Sequence, residues 1–430
     1  MNSKHIITAV LSLTILASCN KIPHKITDTV DYNSYLQNKE NKDLAFANEE
    51  HKFWTEKLEK TPNQFPYLGK ISGANSQLFS TTGEINYLIN AEQNLILANE
   101  KTNYNNAGYL RGLARNYISQ HRFKEALEHL LRAKINGEKL NNTHQMLFDV
   151  YLELGNSKKA KYYLNEIKDL SDFGYLIRLS KWSDHEGNLD GAIKYMEQAK
   201  ALAESSKNKG LMQWSYTNLG DYYGHANRIE DSYIMYLKTL ALNPNDAYAK
   251  KGIAWIVYSY ERNPEEALRI LEAINTQHKS PDYYLLKAEI AEFQNNNVKK
   301  EENIKAYLAA VKNKQYGAMY NKYNALLFAD ELNKADVALQ IARTEIDNRP
   351  TPQSYDLLAW SYYHKGDVKK ALEIVKEHIA DKTYEPEAQY HMATIYKASG
   401  MEKDANKLKK ELLESAYELG PVLEQNIKNL

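Results

Sequence analysis

What the 430-residue chain has little of already narrows its chemistry. A single cysteine, Cys19, can neither close a disulfide within the chain nor build a multi-thiolate metal site. The 55 basic and 55 acidic side chains cancel, so there is none of the basic surplus that a nucleic-acid module carries on one face. Glycine and proline are scarce, at 18 and 10, roughly half the usual ~12% share of the two together. That disfavours turn-dense β architectures and favours long helices. Phenylalanine is rare beside tyrosine, 9 against 33, and tyrosine suits half-buried positions where the ring packs and the hydroxyl stays wet. Beyond the N-terminus no apolar run approaches the ~18 residues of a membrane-spanning helix. At 43% hydrophobic and 26% charged, the chain still has the composition of one that folds around a core.

Catalytic constellations are missing as well. The sequence holds no G-x-S-x-G elbow, no phosphate loop and no H-E-x-x-H helix. Asp184, His185 and Glu186 offer acid, base and ligand groups, but adjacent helical positions point apart, so they read as a solvated loop edge. Glu49, Glu50 and His51 read the same way. No enzymatic activity, cofactor or metal is expected.

The N-terminus carries the clearest address. Lys4 and His5 precede an apolar stretch from Ile6 to Ala17. That stretch is too short to span a bilayer of ~30 Å but long enough for a signal-peptide core. Leu16, Ala17 and Ser18 then lead into Cys19, which resembles the bacterial lipobox. The resemblance implies removal of residues 1–18 and acylation of Cys19; the alternative is a secretory signal in which Cys19 is incidental. Cleavage would leave 54 basic against 55 acidic side chains, so a membrane link would be lipid, with several acyl chains giving stable anchoring. Asn20 follows where an inner-membrane retention signal would place Asp, and no Lys-acidic-acidic export run follows. The resemblance thus implies the periplasmic face of a Gram-negative outer membrane. Residues 19–42, polar and without helical periodicity, read as lipidated Cys19 and a flexible tether.

From residue 43 the pattern is helical. Leu44, Ala47, Trp54 and Leu58 predict an amphipathic helix stopped at Pro62, and the rest of 43–107 reads as a degenerate helical pair. Over 108–414 the chain repeats itself. Tyr117 and Tyr151 are 34 residues apart, as are Ala126 and Ala160, Tyr362 and Tyr396, and Ala371 and Ala405. The segment Tyr216, Leu219, Gly220, Tyr223, Ile229, Tyr236, Leu240, Pro244 resembles the tetratricopeptide repeat, as do those around Leu113–Ala126, Ala359–Ala371 and Ala393–Ala405. Weaker copies centre on Phe148 and Ala160, Leu179 and Ala192, Ala254 and Ala267, Leu286 and Ala310, and Leu326 and Ala338. Together they make nine units. Ser232 replaces the usual Ala in the fourth, and Asn295–Asn297 predict a lengthened turn in the sixth. The resemblance implies an all-α solenoid of antiparallel helix pairs, wound as an elongated right-handed superhelix, with residues 415–430 capping its open end.

In that family the first helix of each pair lines a concave groove that takes extended peptides. Carried over position by position, the groove would present Arg111 and Arg115, Arg178 and Lys181, then Trp214, Asn218, Asp221 and His225. Towards the C-terminus it would add Tyr320, Tyr323, Asn324, Asp356, Trp360, Tyr363 and His364. Aromatic and Arg side chains dominate interface energies. The Lys/Asn clamp by which some members hold a C-terminal carboxylate is absent, with Arg115, Met146 and Asp149 at the corresponding positions. The expected function is a membrane-anchored adaptor or scaffold binding polypeptide partners, with a glycan-capturing uptake lipoprotein as the alternative. Oligomeric state is left open.

Overall fold

The computed structural model describes residues 25–38 and 40–430; the leader and Cys19 lie outside them. All regular elements among the described residues are helical. Four helices come first: α1 (Thr29–Gln37), α2 (Lys42–Lys60), α3 (Pro66–Thr82) and α4 (Ile85–Lys101). Nine pairs follow. They are α5 (Ala107–Ser119) with α6 (Phe123–Asn136), α7 (Leu140–Glu153) with α8 (Ser157–Glu166), and α9 (Phe173–His185) with α10 (Leu189–Ser205). The middle three are α11 (Lys209–His225) with α12 (Ile229–Leu242), α13 (Ala247–Trp255) with α14 (Pro264–Gln277), and α15 (Asp282–Phe293) with α16 (Asn297–Val311). The last three are α17 (Asn321–Asp330) with α18 (Ala335–Asn348), α19 (Pro352–His364) with α20 (Val368–Ile374), and α21 (Pro386–Ala398) with α22 (Glu402–Leu412). A final helix, α23, spans Ala416–Lys428. Four of the ten prolines start helices: Pro66, Pro264, Pro352 and Pro386 occupy first turns, where a missing N–H costs nothing.

One backbone device turns the chain inside every unit. A residue in the left-handed region stands at His121, Gly155, Gly187, Asn227, Arg262, Asn295, Asn333, Gly366 and Gly400. Glycine and asparagine, which reach that region at least cost, fill all but two of these places. The next residue donates its amide back to the first helix: Asn156 to the Tyr151 carbonyl at 2.8 Å, Arg228 to Tyr223 at 2.7 Å, Met401 to Tyr396 at 2.9 Å. Where it is Asn or Asp it also caps the second helix, as Asn156, Asn188, Asn263, Asn296 and Asp367 do. Five residues after the left-handed one comes a small buried side chain, including Ala126, Ala192, Ser232, Ala267 and Ala371. It lets the paired helices approach closely.

The sixth unit departs from expectation. Its turn at Asn295–Asn296 has the same form as the others, so it is not lengthened. By that register its small-residue position is Lys300, not Ala310. The Lys300 ammonium is held by Glu292 at 2.8 Å and Glu331 at 2.7 Å, which compensates a charge where a methyl usually packs. The extra chain lies after α16, in a 3-10 turn at Lys314–Tyr316.

Residues 25–38 are not a flexible tether. Helix α1 packs on α12 and α14, and Tyr32 is 1% exposed. Ile26 and Thr27 donate their amides to Glu261 at 2.7 and 2.6 Å, and the Tyr32 hydroxyl donates to Glu266 at 2.7 Å. Sequence periodicity misses this strap because its anchors are hydrogen bonds and one buried ring.

Nor does the stack stay open. The Lys279 amide donates to the Thr82 carbonyl at 2.7 Å, joining the α3–α4 turn to the linker after α14. Asn348 donates to the His121 carbonyl at 3.0 Å, and Arg349 reaches Glu153 at 3.1 Å, so the linker after α18 meets the first two units. Gly155 and Gly187 are required twice over. Both have positive φ, and a Cβ on either would lie 2.7 Å from Pro350 or the Tyr384 ring. The solenoid therefore closes on itself, in contrast to the elongated form expected. Helix α23 goes beyond capping α21 and α22: it crosses to the first helices α11 and α15 and to the π-type continuation of α13 at Ile256–Tyr260.

Candidate functional site

Closure turns the expected groove into two regions of different character. Over the fourth to sixth units the inner face is occupied by α23. The Tyr417 carbonyl accepts from Trp255 Nε1 at 3.1 Å and Ser259 Oγ at 2.6 Å, and its ring lies against Gly224, where a Cβ would stand 2.8 Å from Cε1. Glu424 pairs with Arg262, and Gly420 at φ 80° bends the segment over Glu289 and Trp255. Burial lifts the Glu289 carboxyl to about 7 although the Tyr258 hydroxyl donates to it at 3.1 Å.

The second region is open. A cleft of about 600 Å³ lies between the turns of the second and third units and the linkers flanking α19 and α20. Glu153, Lys181, Asp184 and His185 line one wall, and Arg349, Gln353, Tyr355, His378, Lys382 and Glu385 the other. A smaller hollow of about 250 Å³ continues from it, sharing Asp184, His185, Gln353, Lys382 and Glu385 and adding His225, Tyr384 and Glu418. Lys181 holds Glu153 at 2.9 Å and Arg349 holds its other oxygen at 3.1 Å, so an ion-pair chain links the two walls. His378 stacks flat on Tyr355, ring centres 3.8 Å apart. Enclosure raises the carboxyls of Asp184, Glu385 and Glu418 above their ordinary range, with His225 opposing in each case. Among the described residues no group of three or more His, Cys, Asp or Glu is placed to hold a metal ion.

The proposed groove residues scatter over these regions. Lys181 and His225 line the cleft and its extension. Arg115 is exposed, and Trp214 is 40% exposed with its ring edge-on to Phe173. Arg178 is committed to Asp149 at 2.6 Å and to the Gln145 and Gly174 carbonyls at 2.8 Å. Asn218 bonds the Trp214 carbonyl. Asp221 accepts the Tyr236 and Tyr248 hydroxyls, each at 2.6 Å, and burial pushes its carboxyl up. Tyr320 and Tyr323 belong to a tyrosine cluster with Tyr307, whose hydroxyl donates to Asn324 at 2.9 Å.

Three expectations of exposure fail. Arg111 is buried, donating to the Glu138 carbonyl at 2.7 Å and to Thr143 at 3.1 Å, where it ties two units together. Asp356 is buried against His391 at 2.8 Å. Trp360 is 5% exposed, donates to Asp330 at 2.7 Å and stacks on His391 with centres 4.0 Å apart. Tyr363 also stacks on it at 5.0 Å, and His364 meets Asp330 at 3.0 Å. The Trp360 group is thus packing between the seventh, eighth and ninth units, and no aromatic platform forms there. Asp184 and His185, read as a solvated loop edge, are exposed at the end of α9 and also line the cleft, with His185 Nε2 3.1 Å from Ser157 Oγ.

No family model and no curated protein matches the chain. Among solved structures it is similar to a tetratricopeptide repeat protein from Parabacteroides merdae, at 17% identity and TM-score 0.34, over 61% of this chain and 97% of that one. It is similar to YrrB, a TPR protein with an unusual peptide-binding site, at 19% identity and TM-score 0.28, over 46% of this chain and 95% of that one. It is also similar to the human IFIT1 dimer with PPP-AAAA, at 14% identity and TM-score 0.45, over 77% and 76%. At these scores the likenesses carry nothing about ligands, and the fold stands on the nine repeated turns.

Proposed function

The chain is a tetratricopeptide-repeat solenoid, and on that premise we propose that it is an adaptor of the cell envelope, anchored by lipid at Cys19, that holds a polypeptide partner in its inner cleft. One observation carries the polypeptide part of this reading. The inner face already grips a polypeptide, its own residues 416–428, through main-chain hydrogen bonds, a docked ring and an ion pair. The adjoining open cleft offers the same kinds of contact: stacked Tyr355 and His378, and charges of both signs. Such a mixture suits an extended segment carrying both charged and apolar side chains. The anchor rests on the lipobox-like Leu16-Ala17-Ser18-Cys19, and the periplasmic face of the outer membrane on Asn20 and the missing export run. Among the described residues no helix is long and apolar enough to cross a membrane.

A photoreactive side chain at Gln353, in the cleft, tests the reading against one at Ile135, which is 87% exposed on the outer helix α6. Irradiation of envelopes is expected to give a protease-sensitive adduct with one recurring polypeptide at 353 and none at 135. Equal labelling at both, or no polypeptide adduct at 353, would contradict it.

A further inference from the structure

The strap fixes how the molecule sits once it is anchored. We propose that the edge of the solenoid made by the entry into α1, residues 26–30, and by the turns at Asn227–Arg228 and Glu261–Arg262 is its membrane-facing side, with the lipid bilayer as the occupant. This rests on the lipid-anchor reading above. From Cys19 to Ile26 there are seven residue steps, at most about 25 Å of chain. At Ile26 the chain is no longer free, because Glu261 takes both the Ile26 and Thr27 amides and the Thr27 hydroxyl at 2.9 Å. Two residues on, the Tyr233 hydroxyl lies 3.2 Å from the Asp28 amide and carbonyl, and the buried Tyr32 closes the joint.

An acylated Cys19 therefore cannot sit far from this edge, and the body cannot swing on a long leash. The surface there suits an apolar contact with the headgroup layer. Val30 is 79% exposed on α1 and Ile234 is 40% exposed on α12, which α1 touches. Arg228 is paired with Asp231 at 2.8 Å, and Asp28, Asp31 and Glu230 leave the edge mildly acidic, so charge attraction does not hold it to the headgroups. Orientation should then come from the covalent tether and the strap, and persist at high salt, where exposed charge attractions are screened.

The test uses the full-length lipidated protein in vesicles of phosphatidylethanolamine and phosphatidylglycerol. Acylation blocks Cys19, so a single new cysteine can carry a fluorophore: Glu230→Cys at the start of α12, or Thr276→Cys at the far end of α14. Both are exposed, and they stand about 18 Å apart along the helix direction. A quencher on the lipid headgroup is expected to quench the label at 230 at least twofold more than the label at 276, at low and high salt alike. Glu261→Ala, which frees the strap, should bring the two towards equality. Equal quenching in the otherwise unaltered chain, or stronger quenching at 276, would overturn the orientation while leaving the anchor intact. A protein that does not float with the vesicles would overturn the anchor, and the orientation with it.

Discussion

If α23 lies on the inner face, Gly224 and Tyr417 must be energetically coupled across 193 residues of sequence. Gly224 ends the first helix of the fourth unit, where replacement by Ala should by itself gain up to ~1 kcal/mol from helix propensity. The added Cβ would stand 2.8 Å from Tyr417 Cε1, below any ordinary contact, and overpacking of that kind costs ~1–3 kcal/mol. Gly224→Ala should therefore be neutral or destabilising in the native sequence. Tyr417→Ala removes a large ring from the α11–α13 surface and should cost ~3 kcal/mol, the lower end for aromatic truncation. With Tyr417 gone, Gly224→Ala should turn stabilising, because the propensity gain is unopposed. The sign change is a coupling energy of ~1–3 kcal/mol, within the range seen for residues in contact. Urea unfolding of the four proteins, followed by far-ultraviolet circular dichroism, measures it. A Gly224→Ala effect that is the same in both backgrounds would refute the docking of α23.

Three further outcomes follow from particular environments. Glu289, lifted to about 7, favours the protonated form, so its contribution is present below pH 4.5 and lost as pH rises through 7. Glu289→Gln should stabilise the protein by up to about 3 kcal/mol at pH 8 and little at pH 4.5, read from urea midpoints at the two values. His278 is pushed down to about 4 by burial, so its neutral form stabilises the fold above pH 6.5 and that contribution is lost as pH falls towards 4; His278→Gln should flatten the acid limb of the same measurement. Trp360→Ala should cost ~3–5 kcal/mol of stability, seen as a lowered urea midpoint, because the ring is packing.

The unit was legible because it is local. Tyr117 to Tyr151 and Ala371 to Ala405 mark turns whose left-handed residue, cap and small side chain all fall within a dozen positions. Lys300 shows where that logic slips: the sequence offers Ala310, and only the turn at Asn295 fixes the register. The strap was hidden because Tyr32 and Thr27 find their partners more than 200 residues away. The closure was hidden for the same reason, since Lys279 with Thr82 and Arg349 with Glu153 follow from the sum of nine inter-unit rotations and from no single motif. Arg111, Asp356 and Trp360 were placed on the right helices. Their burial depends on neighbouring units, which a face-by-face reading treats as open. Gly155 and Gly187 were the available hint, since both need a left-handed turn and also admit a second chain segment.

Closure is the feature on which both the cleft and the covered groove depend, and the Lys279 amide reports on it directly. Lys279 is exposed, and its amide donates to the Thr82 carbonyl across the closure, while its side chain reaches the Asn275 carbonyl. Hydrogen exchange on the whole protein should find this amide protected well beyond its neighbours in the linker after α14. Gly83→Ala, whose Cβ would collide with the Lys279 carbonyl, should abolish that protection while the helices of the nine units keep theirs. A Lys279 amide that exchanges at the free-chain rate in the unaltered protein would contradict a closed solenoid.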